Sequence, residues 1–461
     1  MTLIKSISGI RGTIGGTVDQ GLTPIDAVKF AAAYGTWLQH QHPGQRLKVV
    51  IGRDARISGP MIAALVQQTL VGLGIDIIDL GLSTTPTVEV AVPLENAQGG
   101  IILTASHNPK QWNALKLLNA KGEFISGAEG EALLQIAANE AFSFAEVDNL
   151  GTITPNDTYL EKHIQAILDL TLVDKAAIAA ANFKVVVDAV NSTGGTFVPA
   201  LLRALGVSQI EELYCEPTGH FPHNPEPLPE HLTELSARVV EGKADLGITV
   251  DPDVDRLALV CEDGSMFGEE YTLVAVADYV LTHTPGPTVS NLSSTRALRD
   301  ITEARTLRYE AAAVGEVNVV VKMKEIGAVI GGEGNGGIIY PELHYGRDSL
   351  VGIALFLSHL AHKKCSLTTL RASYPNYVIS KNKIDLDPST NVDSILMQMA
   401  KQYEAHEVDT TDGVKIYIDK EWVHLRKSNT EPIIRIYAES KDEKAANDLA
   451  LRIMNEIKVL A

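Results

Sequence analysis

Ile101-Ile102-Leu103-Thr104-Ala105-Ser106-His107-Asn108-Pro109 sets an apolar run against an abruptly polar loop. The aliphatic residues predict a buried strand ending at Leu103, and Pro109 bars its ordinary continuation. Ser106 therefore falls on a loop held by a rigid strand end, where a nucleophile belongs. Serine, asparagine and proline also favour turns for conformational reasons alone. On these residues by themselves, a turn without chemistry is the simpler reading. What changes the balance is that the same grammar recurs.

Strand-like runs followed by small-residue turns and helical periodicity start at Leu47-Lys48-Val49-Val50-Ile51-Gly52, at Phe183-Lys184-Val185-Val186-Val187-Asp188 and at Pro287-Thr288-Val289-Ser290-Asn291-Leu292. A second strand is predicted after each, over 75–80, 210–215 and 307–312, and a third over 100–103, 245–250 and 328–330. The third strands run into the Ser106 loop, into Asp251-Pro252-Asp253-Val254-Asp255-Arg256, and into Gly331-Gly332-Glu333-Gly334-Asn335-Gly336-Gly337. Parallel α/β units bind ligands beyond the carboxyl ends of their strands, so the expectation is three equivalent loops on one shared cleft. After about Arg371 the pattern changes. Strands over 383–386, 413–418, 422–426 and 433–438 with helices over 391–404 and 442–459 predict a smaller α+β domain. The predicted fold is α/β: three similar α/β/α domains with mixed, mainly parallel sheets around a central cleft, then that C-terminal domain. Its boundaries fall at 1–150, 151–256, 257–371 and 372–461.

Composition bounds the function. The 461 residues, 45% hydrophobic and 21% charged, suit several buried cores. A net charge of −18 and the lack of a basic stripe argue against nucleic acid. An anionic substrate would need positive charge gathered locally. Cys215, Cys261 and Cys365 have no metal-type spacing and read as reduced thiols. No apolar run reaches membrane length and the N-terminal stretch has no signal-peptide core, so a cytoplasmic protein, monomer or homodimer, is expected.

Asp251, Asp253 and Asp255 alternate, so an extended loop turns all three carboxylates to one side. Such charges repel unless a cation lies among them, and hard oxygen donors suit Mg²⁺ or Ca²⁺. An EF-hand is excluded: Arg256 occupies the position that needs glycine, and Leu257 to Val260 reads as a strand. A solvated acidic turn is the bland alternative. Gly332, Gly334 and Gly337 match G-x-G-x-x-G, but Ile338-Ile339-Tyr340-Pro341 follows where a dinucleotide fold needs a helix. The glycines instead let backbone approach a ligand, with Glu333 and Asn335 available to sugar hydroxyls. Arg426-Lys427-Ser428-Asn429-Thr430-Glu431-Pro432, with Arg435 on the next strand, has the parts of a phosphate clamp, or of an ordinary polar hairpin. Arg11 lies between Gly9 and Gly12, and Lys116 follows the serine by ten residues. Either is a surface cation, or serves to neutralise a phosphoserine or move a proton. His107 is open to two readings, a general base or a turn histidine bonded to backbone.

Taken together, Thr-Ala-Ser-His-Asn-Pro at 104–109, Asp-x-Asp-x-Asp-Arg at 251–256, Gly-Glu-x-x-Gly at 332–336, Arg-x-Ser-Asn-Thr-Glu-Pro at 426–432 and Ser-Gly-Ile-Arg-Gly at 8–12 resemble the alpha-D-phosphohexomutase family over essentially the whole chain. That family covers phosphoglucomutase, phosphomannomutase and phosphoglucosamine mutase. The resemblance implies a phosphoserine at Ser106, and Mg²⁺ on Asp251, Asp253 and Asp255 that also touches the Ser106 phosphate. It implies sugar recognition by Glu333 and Asn335, with Arg256 also facing substrate, and a phosphate clamp of Arg426, Ser428, Asn429, Thr430 and Arg435. Arg11 and Lys116 match positions beside the phosphoserine, and Lys116 is the expected acid/base, its pKa lowered by Arg11, ahead of His107. The implied reaction interconverts hexose 6- and 1-phosphates through a hexose 1,6-bisphosphate, which also serves as activator. In overall pattern the chain looks closest to phosphoglucosamine mutases, with phosphomannomutase/phosphoglucomutase as the alternative. Behind these stand a phosphoserine phosphatase and a non-catalytic sugar-phosphate-binding protein. The chain departs from the common pattern at Pro252, where glycine is frequent, at Gly337, where many members have histidine, and at Glu316, which replaces a histidine found in some phosphomannomutases.

Overall fold

The computed structural model describes residues 2–6, 9–387, 390–427 and 433–460. The chain forms two compact units, one of Met1–Thr272 with Gly336–Thr368, the other of Leu273–Asn335 with Thr369–Ala461. Among the described residues of the first unit, seven strands form one sheet in the order Ile4–Ser6, Gly9–Thr13, Trp112–Leu118, Gly99–Leu103, Lys48–Arg53, Asp76–Leu82, Ile153–Pro155. The last four run parallel, and the first three join antiparallel. Alternation along the strands makes the layers. Val49, Ile51, Ile101 and Leu103 share a core with Phe30, Trp37 and Ile62. Val50 and Ile102 pack on the opposite face with Val88, Ala91 and Val92 of the helix Thr85–Leu94. Both faces are covered, so the central strands read as unbroken apolar runs.

A second sheet in the same unit has the order Leu257–Cys261, Leu246–Val250, Lys184–Asp188, Gln209–Leu213. Its last three strands are parallel, and its first pair is an antiparallel hairpin that matches Val250 with Leu257. The acidic stretch 251–256 is therefore the tip of a hairpin. The Ser106 loop likewise joins an antiparallel pair, Gly99–Leu103 and Trp112–Leu118. These antiparallel returns are what make the expected mainly parallel sheets mixed.

In the second unit Thr288–Asn291 pairs in parallel with Tyr309–Ala312 and Ile330–Glu333. The expected third strand, 328–330, is thus displaced: the chain stays extended through Glu333, and the glycine-rich loop begins later. Gly331 explains this. A Cβ there would lie 2.5 Å from Met323 Sδ and 2.9 Å from Val289 O, so the glycine serves close packing inside a strand. The C-terminal sheet has the order Val378–Asp385, Ile433–Ser440, Glu421–Lys427, Val414–Ile418, Glu407–Asp409, antiparallel throughout. The helices Val392–Gln402 and Glu443–Leu460 cover it through Ile395, Met399, Leu449 and Ile453. Its first strand starts at Val378, well before the expected 383, because this edge strand is largely half-exposed and carries no apolar alternation.

His424 lies within this sheet, 1% exposed. Its Nε2–H donates to the Asp412 carbonyl at 2.7 Å, so Nδ1 accepts from the Ser293 hydroxyl at 3.0 Å. Burial, then the neighbouring Lys415 cation, pushes its pKa down to about 4 from an ordinary 6.5. Below that ordinary value the unfolded chain takes up a proton that the folded chain refuses, so stability falls with falling pH. Urea unfolding followed from neutral pH downwards should lose stability from pH 6.5 towards about 4, and His424→Gln should flatten that slope.

Candidate active site

Ser106 sits at φ +48°, in the left-handed region that a serine occupies only under constraint. Strain of this kind costs on the order of 1–3 kcal/mol and persists where the surroundings impose it. Arg56 imposes it. Its side chain is fully buried, and its guanidinium donates to the carbonyls of Ser106, Asn108 (2.7 Å), Pro109 (2.8 Å) and Trp112 (3.0 Å). Its Nε pairs with Asp54 Oδ2 at 3.0 Å. Thr104 completes the brace: its hydroxyl donates to Asp54 at 2.7 Å and accepts from the Ser106 amide at 2.9 Å. Neither Arg56 nor Asp54 was singled out in the sequence. The signal was there, since Arg53-Asp54-Ala55-Arg56 leaves the end of the strand Lys48–Arg53 much as Ser106 leaves its own.

The Ser106 hydroxyl donates to Asp251 Oδ2 at 2.6 Å and faces His107 Nδ1 at 3.3 Å. Asp251, Asp253 and Asp255 are each 0% exposed, and one oxygen from each lies within 4.8 Å of the others. The hairpin tip is shaped by Asp251 Oδ1, which accepts the Asp255 and Arg256 amides at 3.1 Å each. Val254 takes φ +66° there, a position a β-branched residue rarely adopts. Burial and the two neighbouring carboxylates push Asp251 well above the usual range. For Asp255 burial acts in the same sense, but Arg347, Lys116 and Arg256 outweigh it and hold the group below. The buried Asp253 Oδ1 and Asp255 Oδ1 have no hydrogen-bond partner. Clustered buried oxygen donors and orphaned lone pairs are what a hard divalent cation satisfies, so the triad fits one.

Register explains the cations. Arg11 faces Ala114 and Lys116 faces Ile102 across adjacent antiparallel strands, which puts both beside the serine loop. Arg11 Nη1 donates to Asn108 Oδ1 at 2.9 Å. Lys116 Nζ lies 2.6 Å from Asp253 Oδ2 and 3.1 Å from Asp255 Oδ2. Burial pulls its pKa down, yet these carboxylates prevail and raise it above the ordinary lysine value. The expectation that Arg11 depresses Lys116 is therefore corrected: the ammonium is held protonated, because its nearest charges are anions. His107 goes the other way. Burial, then Arg256 and Arg11, pushes it down to about 2, so its imidazole is neutral. Two contributors were missed. Arg347 donates to Asp255 Oδ2 at 2.7 Å, and Thr85, opening the helix Thr85–Leu94, donates to Asp253 Oδ2 at 2.5 Å. Arg256 pairs at 3.9 Å with both Asp255 and Glu226.

The second unit holds the other expected residues. Glu333, 4% exposed, accepts from Asn291 Nδ2 at 2.7 Å and the Gly315 amide at 3.0 Å. Asn335 is half-buried beyond it. Arg426 and Arg435 lie directly opposite each other on paired strands, Arg426 2.8 Å from Asp412 and Arg435 exposed. Ser428, Asn429 and Thr430 of the expected clamp lie outside the described residues, as does Ser8. No helix among the described residues is long and apolar enough to cross a membrane.

Layered α/β domains carrying a constrained serine on a buried carboxylate cage define an enzyme built for group transfer. The chain matches phosphoglucomutase/phosphomannomutase alpha/beta/alpha domains I, II and III over residues 3–144, 158–264 and 268–377, and the C-terminal domain of the same proteins over 387–456. It is 33% identical over 452 residues to a phosphoglucomutase/phosphomannomutase of Thermococcus kodakarensis, covering 96% of this chain and 98% of that one. It is 31% identical over 462 residues to a phosphoglucosamine/phosphogalactosamine mutase of Sulfurisphaera tokodaii, covering 98% and 97%. The crystal structure of a phosphoglucomutase/phosphomannomutase family protein from Burkholderia thailandensis superposes with a TM-score of 0.84 at 27% identity, over 99% of this chain and 98% of that one. The chain belongs to the phosphoglucomutase/phosphomannomutase family, and is a phosphohexomutase.

Arg56 offers a direct test of the serine brace. Arg56→Ala strands Asp54 without its cation, which should cost about 3–5 kcal/mol in chemical unfolding. Mutase turnover should fall about 100-fold as Ser106 loses its position. Arg56→Lys should not rescue it, since an ammonium lacks the planar fork that reaches four carbonyls.

Proposed function

We propose that this mutase interconverts hexose 6-phosphate and hexose 1-phosphate through a phosphoserine at Ser106, with glucosamine phosphate as preferred substrate. The observation that carries the reading is the 2.6 Å hydrogen bond from the Ser106 hydroxyl into the buried triad. A serine in a hydrolase would need a basic partner, whereas His107 beside it is pushed down to about 2. A serine that carries a phosphoryl group needs positive charge and an open set of hard donors instead.

In the first half-reaction the bond between phosphorus and Ser106 Oγ breaks as a new bond forms to the free hydroxyl of the bound sugar phosphate. Lys116, held as an ammonium, supplies a proton to the departing Oγ and takes one from the sugar hydroxyl. The resulting hexose 1,6-bisphosphate turns around, and Ser106 accepts the phosphoryl group from the other end by the reverse of these steps, Lys116 taking the Ser106 proton and supplying one to the departing sugar oxygen. Arg11 and Arg256 offset the phosphate charge, and neutral His107 orients Oγ. Asp251, Asp253 and Asp255, with the Ser106 phosphate, would hold Mg²⁺, which polarises phosphoryl oxygens when bound. Glu333 and Asn335 recognise sugar hydroxyls. Arg426 and Arg435, like charges placed opposite each other, are stabilised by the phosphate that does not react. The preference for glucosamine phosphate is supported by the family pattern and by the name of the Sulfurisphaera tokodaii relative.

Mass spectrometry of the purified protein should find phosphate on Ser106, and Ser106→Ala should lower turnover at least about 1,000-fold. Turnover within a few-fold of normal, or release of inorganic phosphate in place of the isomeric sugar phosphate, would sink the phosphoserine mutase reading. Chelation should abolish activity and Mg²⁺ restore it, with Asp253→Asn needing at least about 10-fold more Mg²⁺. With bisphosphate present, kcat/KM should be highest for glucosamine 6-phosphate; faster turnover of glucose or mannose 6-phosphate overturns the substrate assignment alone.

A further inference from the structure

Behind the site, still within the first unit, lies a second set of metal-type donors that the mutase reaction does not use. We propose that His163 Nε2, His344 Nε2 and Asp348 Oδ2 bind one divalent transition-metal ion of the zinc or cobalt class, separate from the Mg²⁺ triad. The two imidazole nitrogens converge on one carboxylate oxygen, at 3.0 and 3.3 Å. Donors each about 2.1 Å from a shared ion stand about 3.0–3.4 Å apart, so small adjustments admit one. The rings meet edge to face, with centroids 6.3 Å apart and planes at 78°.

The groups behind the donors are those that metal-binding histidines require. His163 Nδ1 faces Thr87 Oγ1 at 2.9 Å, and His344 Nδ1 faces Glu89 Oε2 at 3.4 Å. Thr87 holds the His163 ring from behind, His344 Nδ1 makes no hydrogen bond, and both Nε2 atoms are aimed at the shared oxygen. Asp348 Oδ1 is committed elsewhere, accepting the Leu350 and Val351 amides at 2.7 and 3.3 Å as the cap of the helix Ser349–Lys363, so Oδ2 alone is presented. Gly346 permits the approach. A Cβ there would fall 1.9 Å from Glu89 Oε2 and 2.9 Å from His344 Cε1.

Charge points the same way. Asp348 and Glu89 are 0% and 1% exposed, and buried carboxylates are stabilised by an adjacent divalent ion. Nitrogen donors favour zinc-class ions over Mg²⁺, which separates this site from the all-oxygen triad. His344, 11% exposed, leaves an entry path. The ion would brace the catalytic cage from behind. Thr87 and Glu89 share a helix with Thr85, which holds Asp253, and Asp348 adjoins Arg347, which holds Asp255.

The test uses the full chain, stripped with chelator and titrated with Co²⁺ under excess Mg²⁺ that occupies the triad. Bound metal is counted by plasma mass spectrometry after gel filtration, and the visible cobalt spectrum is recorded. One equivalent with a nitrogen-ligated spectrum is expected, with affinity at least about 10-fold weaker in His344→Gln and unchanged in Asp253→Asn. No retained equivalent in the wild type, undiminished retention in His344→Gln, or loss in Asp253→Asn would overturn the proposal. Anomalous scattering from cobalt-soaked wild-type crystals gives a reading that does not depend on variants folding. A peak among the three donors supports the site, and the absence of one there overturns it.

Discussion

Carboxylates taken out of water repel one another unless a cation lies among them, and here three are wholly buried side by side. Asp251, Asp253 and Asp255 impose that constraint on the rest of the first unit. Lys116 from the strand Trp112–Leu118, Arg347 from the loop before the helix Ser349–Lys363, and Thr85 from the start of another helix all turn inward to meet them. These elements are remote in sequence, and the cage is what they have in common. One consequence is electrostatic: the carboxylates keep Lys116 charged, and the cations keep Asp255 charged. Each group's state is set by the other's presence.

The serine loop solves a different problem. A residue at φ +48° does not stay there unaided, and a loop of Ser, His, Asn and Pro has no core of its own. Arg56 replaces a core with hydrogen bonds to four carbonyls, and Asp54 neutralises it within the same fold of chain. A buried arginine whose fork is filled in this way behaves as a structural pin. The Ser106 hydroxyl is therefore positioned by backbone held from beneath.

In the second unit, Glu333 is held by Asn291 and by the Gly315 amide, immediately before Glu316. Glu316 opens the helix Glu316–Ile326. Arg426 and Arg435 lie opposite each other on paired strands, and their mutual repulsion is relieved in part by Asp412.

Strand ends, the repeat and the acidic alternation were legible because each is local. Apolar runs set the central strands, loops at their ends carry the polar residues, and Asp-x-Asp-x-Asp announces its own repulsion. Elements without a buried face were not legible in the same way: the edge strand Val378–Asp385 shows no alternation, and the strand reaching Glu333 is disguised by glycines that serve packing. Arg56, Asp54, Arg347 and Thr85 are ordinary residues in sequence. They become parts of the site only when chain segments tens to hundreds of residues apart are brought together, and that proximity depends on burial, register and charge. The protonation of Lys116 was misjudged for the same reason. The resemblance put it beside Arg11, whereas the folded chain puts it within 3.1 Å of two carboxylates, and in a buried site the nearest charge decides.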